Sequence, residues 1–353
     1  MLAGRNKVVR DARPVAKSGP RVASRPARRG ATRENTRESS YLPTGGGIPP
    51  RLGLGRHHHR CAGGAAGRER AWFTSCLAFI RAGAAGRQAA KRLIASAPAA
   101  ARLPLASVRL AAPLMPSTIL CSGSNYHDHN KEKAAAPISG KEPEFFVKTA
   151  DCVIGPDESI VYDEVLTRKL DAETELAIVI GEPGRHIPVE RALEHVFGYT
   201  IVNDVTARDR QVRRKPDGSH WYELGRGKVF DTAAPMGPWI VTADEIGDPQ
   251  ALRLRTRING ELRQSASTGN MIWSCAELIH FFSINLTLRP GMMIITGTPG
   301  GTAWSVDPDL GGKWVGGDGS ETLVAAKGYL RPGDMIECEL EKIGVLKNRV
   351  DLA

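Results

Sequence analysis

Three short stretches of this sequence carry residue types and spacings that could do chemistry. In Asp171-Ala-Glu173-Thr-Glu175, acids at every second position run straight into Leu-Ala-Ile-Val-Ile-Gly. The apolar run reads as a buried strand, so Glu173 and Glu175 project to one face of its leading end. Two carboxylates entering a core strand are costly unless a positive charge lies between them. A hard divalent ion would supply that charge, whereas a solvated strand end would explain the same acids without an ion.

The second stretch, residues 198–211, is another apolar strand that ends in Asn203-Asp204 and continues to Arg208 and Gln211. Arg208 and Gln211 are three apart and share a face if the segment is helical. A carboxylate, a guanidinium and an amide arriving together at a strand's end suit an oxygen-rich anion beside a metal. An ordinary loop with local hydrogen bonds is the alternative. The third stretch, residues 125–132, places His129 and Glu132 at i and i+3, where they face each other on a helical turn. A carboxylate that orients an imidazole and raises its basicity makes a water-activating base. Surface helices also contain many such pairs, and His127 competes with His129 on composition alone.

Other motifs fail. Gly53-Leu54-Gly55 lacks the next glycine of a dinucleotide fingerprint, where His58 stands, and no strand precedes it. Gly311-Gly312-Lys313 is followed by Trp314 rather than Ser or Thr, so it is no P-loop, and GxSxG does not occur. The six cysteines are scattered without a CxxC, which argues against a zinc ribbon or redox pair and for reduced thiols.

Strand patterns at 118–122, 144–148, 175–181, 198–203, 238–242, 252–258, 292–296 and 335–340 would position these residues. Gly155-Pro156, Asn259-Gly260, Pro290-Gly291 and Pro332-Gly333 punctuate them as turns. Residues 105–110 alternate in part and predict a further strand. Helical patterns are fewer: 85–97 before Pro98, 188–196 opened by Pro188, and 274–286. Helix and strand do not alternate regularly, which disfavours a doubly wound sheet and predicts a β-rich α+β domain of about 240 residues.

The formal net charge of +10 hides an asymmetry. Residues 1–110 hold 22 Lys and Arg against 4 Asp and Glu, whereas residues 111–353 hold 26 against 34. A uniformly basic nucleic-acid-binding fold is therefore not the simplest reading. Residues 1–70 are expected to form a basic, low-complexity extension with too little apolar surface to order. His57, His58 and His59 lie there without a preorganised site. The extension reads as a targeting peptide, as a nucleic-acid or membrane tail, or as upstream sequence from a start codon placed too early, with the last favoured. No apolar stretch is long enough to span a bilayer, since Ala71 to Ile80 is short and closed by Arg81.

Taken in order, the clusters resemble the fumarylacetoacetate hydrolase family. The matching features are NYxxHxxE at 125–132, Phe145-Phe146-Val147-Lys148, the ExE strand at 173–175 and GYTIVNDVTARDRQ at 198–211. They continue with Gly227-Lys228, Pro235-Met-Gly-Pro238, Asn259-Gly260-Glu261, Thr296-Gly-Thr-Pro299 and Pro332-Gly-Asp334. The likeness covers about 104–350 and extends weakly to about 72. It implies a mixed β-sandwich roll over 116–353, a small N-terminal region at 71–115, and a homodimer carrying Mg²⁺ or Mn²⁺. Carried over residue by residue, Glu173, Glu175 and Asp204 match the metal ligands. Lys228 matches the active-site lysine, and His129 with Glu132 the dyad on a lid. Lys148, Arg208, Gln211 and Thr298 fall at substrate-contacting positions.

These roles imply a hydrolase that cleaves a C–C bond in acylpyruvate-like 2,4-dioxo acids. The metal would act as Lewis acid and the His–Glu pair would activate water. A 2-oxo acid decarboxylase or isomerase is the rival, because the same enolate stabilisation serves it. Nucleic-acid binding through the basic N-terminus is the non-enzymatic alternative. The resemblance thus implies a small-molecule 2-oxo or 2,4-dioxo acid as partner, with neither nucleic acid nor membrane, and a cytoplasmic location, or a mitochondrial one if the extension is a transit peptide. One departure stands out: residues 302–328, rich in Gly and Asp with Trp304 and Trp314, form a longer segment than many members have. That segment either reshapes the acyl end of the pocket or is a surface insertion.

Overall fold

Long apolar runs need cover on both sides, and strand β6 shows how this chain provides it. The computed structural model describes residue 67, residues 69–133 and residues 141–353. Most of the basic extension, its histidine run and Cys61 therefore lie outside the described residues. The strands are β1 (Ile119–Gly123), β2 (Glu144–Lys148), β3 (Val153–Ile154), β4 (Ile160–Tyr162), β5 (Leu170–Asp171), β6 (Thr174–Ile180), β7 (Val196–Asn203) and β8 (Thr206–Ala207). They continue as β9 (Val212–Arg214), β10 (His220–Tyr222), β11 (Ala234–Thr242), β12 (Arg253–Ile258), β13 (Glu261–Ser267), β14 (Met293–Ile295), β15 (Met335–Leu340) and β16 (Gly344–Leu352).

A seven-stranded mixed sheet runs β2-β1-β14-β6-β7-β11-β3, and a five-stranded sheet runs β13-β12-β15-β16-β4. Leu176, Ile178 and Ile180 of β6 face a core shared with Leu254, Ile336, Leu340 and Leu346 of the smaller sheet. Ala177 and Val179, on the opposite side of β6, join a second core with Ile119, Met293 and Ile295. Helices Cys76–Arg81 and Gly83–Ser96 cover that side, where Phe79 meets Phe197 edge-on at 5.8 Å. The fold is the expected β-rich α+β roll, with β6 buried on both faces and continuously apolar from Leu176 to Ile180.

All eight expected strands form, as do the helices Gly83–Ser96 and Cys275–Asn285. Ser274 and Glu277 close a capping box on the latter. Asn259 and Gly260 both adopt positive φ, 52° and 79°, as a tight two-residue hairpin between β12 and β13 requires. Residues 188–196 form a 3₁₀ helix, Val189–His195, rather than an α-helix. The strand expected at 105–110 is absent: after Pro104, Leu105–Ser107 closes a 3₁₀ turn, and no neighbouring strand pairs with it. Among the described residues no helix is long and apolar enough to cross a membrane. Cys76, Cys121, Cys152, Cys275 and Cys338 are free and buried.

Candidate active site

Register brings the acids together. In the antiparallel β6–β7 pair, Glu175 lies opposite Val202 and Thr174 opposite Asn203. Strand alternation then puts Glu173 and Glu175 on the side that Val202 shares, and Asp204 follows two residues later. The three side chains are buried, and each offers a carboxylate oxygen within 4.8 Å of the other two.

Three cations surround this cluster, and their bonds differ. Lys228, carried on the short helix Leu224–Lys228, donates to Glu173 Oε2 and Asp204 Oδ2, both at 2.6 Å. Burial alone would lower the Lys228 pKa, but Asp204 and Glu173 reverse the sign and raise it. Arg208, fully buried, donates from Nη2 to Glu173 Oε1 at 2.5 Å, from Nε to Asp171 Oδ2 at 2.8 Å and from Nη1 to Gln211 Oε1 at 3.0 Å. Despite the burial that raises it, Arg208 and Lys228 hold Glu173 well below the usual carboxylate range.

Lys148 Nζ donates to the carbonyls of Val205, Lys228 and Ala233, which takes all three of its protons. Asp204 Oδ1 lies 2.9 Å from that ammonium yet accepts no hydrogen bond from the described residues. Among the described residues, Glu175 has no ion-pair partner. Burial, then Asp204 and Glu173, push its carboxyl well above the ordinary value, against one N–H from Gly297 at 2.6 Å. A buried set of three carboxylates with an unfilled oxygen on Asp204 and an uncompensated Glu175 fits a hard divalent ion.

Helix His127–Glu132 carries the second group. His129 Nδ1 lies 3.3 Å from Glu132 Oε2, and both side chains are buried. Burial, helped by Lys133, keeps the imidazole well below its usual pKa. Burial pushes Glu132 up to about 9, opposed by the Gly301 N–H that donates to its Oε1 at 2.6 Å. Burial thus disfavours charge on both partners, and with Nδ1 engaged, Nε2 is the nitrogen left for the cavity.

One small cavity joins the two groups. His129, Glu173, Glu175, Asp204, Gln211, Lys228 and Thr298 line it. Glu132, Lys148 and Arg208 do not; they stand behind the lining and hold it. The resemblance implies substrate contact for both Lys148 and Arg208; Lys148 is committed to three carbonyls, and Arg208 spends three of its five N–H donors on Asp171, Glu173 and Gln211. A wider cleft lined by Arg263, Lys327 and Tyr329 reaches Asp171 but none of the three clustered acids. The three clustered acids and His129 all line the smaller cavity.

Four residues of this region were not assigned a role from sequence. Asp171 anchors Arg208 and accepts the N–H groups of Ala172, Ala303 and Trp304. Asp128 accepts from Gly300 N at 3.0 Å. Trp304, from the long 302–328 segment, is buried with its ring centroid 5.2 Å from the Arg208 guanidinium carbon and 5.1 Å from Lys133 Nζ. Lys133 is buried and lines the cavity. Its spacing of four from His129 was the available signal.

Residues 118–351 match the family model described as the fumarylacetoacetate (FAA) hydrolase C-terminal domain. The chain belongs to the fumarylacetoacetate hydrolase family. Within it, the chain is 38% identical over 277 residues to the human mitochondrial oxaloacetate tautomerase FAHD2A, covering 77% of this chain and 78% of that protein. It is 40% identical over 248 residues to the oxaloacetate tautomerase YisK of Bacillus subtilis, covering 70% and 74%. A crystal structure of maleylpyruvate hydrolase from Sphingobium, in complex with manganese(II) and pyruvate, superposes with a TM-score of 0.61 at 28% identity, covering 80% of this chain and 87% of that one.

Proposed function

We propose that this chain is a divalent-metal-dependent enzyme that interconverts the keto and enol forms of oxaloacetate-like 2-oxo acids. The observation that carries this reading is the position of Lys228. Its ammonium is clamped between Glu173 and Asp204 on a wall that also presents His129. The charge that develops on enolisation collects on the C2 oxygen, and a fixed cation aimed at that oxygen stabilises it without reorganising.

A Mg²⁺ or Mn²⁺ ion held by Glu173, Glu175 and Asp204 would supply Lewis acidity to the substrate's carboxylate and keto oxygens. Lys228 would hold the enolate oxygen, and Gln211 and Thr298 would orient the carboxylate end. His129 would take the C3 proton through Nε2, with Glu132 fixing the ring through Nδ1. The proton taken up by His129 then passes to the C2 oxygen, which completes the enol and frees the imidazole, and the reverse path regenerates the ketone. Arg208 and Lys148 act at one remove, by fixing Glu173 and the loop that carries Asp204. The names of FAHD2A and YisK favour this reaction.

A second reading, hydrolysis of a 2,4-dioxo acid, is favoured by the His129–Glu132 pair, since the same imidazole could activate water. Two assays with added Mn²⁺ separate them: decay of the enol absorbance of oxaloacetate, and loss of acylpyruvate absorbance. Accelerated enol decay with inert acylpyruvate is expected. Cleavage alone would move the assignment to hydrolase, and inactivity in both would refute the 2-oxo acid reading. His129→Ala should slow turnover at least about 100-fold while leaving Mn²⁺ affinity within about twofold.

A further inference from the structure

We infer that Lys133, with Ser124, forms a subsite for the second carboxylate of a dicarboxylic 2-oxo acid, so that the cavity selects dicarboxylates over monocarboxylates. The inference rests on the reading that the cavity takes 2-oxo acids, and it names a specificity residue for that site.

Two cations line the cavity, Lys133 and Lys228. Lys228 is committed to Glu173 and Asp204, at the end of the cavity that would hold the 2-oxo carboxylate. Lys133 is not so committed. Its Nζ donates to Ser124 Oγ at 2.9 Å, and no carboxylate among the described residues lies within 4.0 Å of it. Ser124 Oγ in turn donates to Glu144 Oε2 at 3.0 Å, so the nearest acid is one hydrogen bond removed. An ammonium has three N–H donors, and a buried one with donors unspent is costly until an acceptor arrives. Burial accordingly lowers the Lys133 pKa to about 8, against the pull of Glu144 and Glu173.

The place of Lys133 in the chain fits the chemistry. It follows His129 by four residues, closing the same helix, so its ammonium and the imidazole lie on neighbouring turns of one face. In oxaloacetate the second carboxylate is bonded to C3, the carbon whose proton is moved. A substrate whose C3 faces His129 would therefore direct that carboxylate toward Lys133. Trp304 backs Lys133 without lining the cavity, its ring centroid 5.1 Å from Lys133 Nζ.

The test measures binding to Mn²⁺-loaded protein by stopped-flow tryptophan fluorescence, with oxaloacetate and with 2-oxobutanoate, which carries a methyl group in place of the second carboxylate. The wild-type chain should prefer oxaloacetate by roughly 10- to 100-fold, the range of a hydrogen bond to a charged group. Lys133→Gln should bring the two ligands within about twofold of each other by weakening oxaloacetate alone, and Lys133→Arg should restore most of the preference. An unchanged ratio in Lys133→Gln, or no preference in the wild type, would overturn the subsite. If the ratio collapses as expected while neither compound is turned over, the subsite stands and the tautomerase reading fails. If the wild type binds neither compound, both readings fall.

Discussion

At the scale of single residues, the cavity is an arrangement of buried charge in which each group's state depends on its neighbours. Glu173 is held ionised by Arg208 and Lys228, whereas Glu175 is held up by burial and by the other two acids. Glu173→Gln should weaken Mn²⁺ binding by at least about 100-fold in a calorimetric titration, more than loss of an outer-shell partner costs. Unchanged affinity would remove Glu173 from the ligand set. Glu132 gives a prediction with a sign. Burial raises it from 4.5 to about 9, so the folded chain keeps a proton that the unfolded chain releases near 4.5. The stability this proton contributes is complete below pH 4.5 and is lost as pH rises toward 9. Glu132→Gln should therefore be more thermally stable than the wild type at pH 8, with the gap closing near pH 4.5, when both are chelated free of metal and melted. A gap independent of pH would show that Glu132 is ionised in the fold. The clustered acids were legible in sequence because alternation along a strand fixes which side they face. Asp171 was less so, because its role is to accept N–H groups from a loop more than 130 residues away.

At the scale of elements, the loop after β14 binds the acids through its backbone. Gly297 N–H goes to Glu175, Gly300 N–H to Asp128 and Gly301 N–H to Glu132, while those of Ala303 and Trp304 go to Asp171. Gly301 has φ +106°, and a Cβ there would lie 1.9 Å from the Arg263 carbonyl oxygen. Gly301→Ala should cost about 2–4 kcal/mol in denaturant unfolding and lower turnover by displacing Glu132. Wild-type stability in that variant would mean the loop relaxes freely. Strands whose apolar runs are bounded by turn residues could be read directly. Strand β13 could not: it is ELRQSAS, and its buried Gln264 is satisfied by Thr298 and the Pro299 carbonyl rather than by apolar packing. Strand β16 hides its alternation in the same way, since inward Asn348 donates to the carbonyls of Gly155 and Glu158. Polar groups that pack inward because a distant partner satisfies them leave no periodic trace.

At the scale of the whole molecule, the charge asymmetry of the sequence separates the extension from the catalytic roll. Every residue assigned to the cavity or its supports lies within 118–351, the span that matches the family. The helices from Glu69 to Ser96 belong to the core as well, since Phe73, Phe79 and Ile80 pack with Ile119 and Phe197. A chain beginning at residue 67 should thus melt within about 2 °C of the full-length protein and keep its Mn²⁺ affinity. One beginning at residue 104 should lose several degrees, because it uncovers the outer side of β6 and β7. Equal melting of both truncations would contradict the packing role of those helices. The sequence pattern placed organised structure from about residue 72, but helices with mixed faces gave no sign of how much of the sheet they cover.

The backbone contacts of residues 297–304 have a consequence for how this protein would look in a mutational survey. Five main-chain amides there serve four acids, and replacing a side chain removes none of them. Such a survey would register Thr298 and Trp304 through what their side chains touch, but, proline apart, it would leave the amide network unseen. The informative perturbation is chemical: exchanging single amides for esters by semisynthesis would delete one donor at a time.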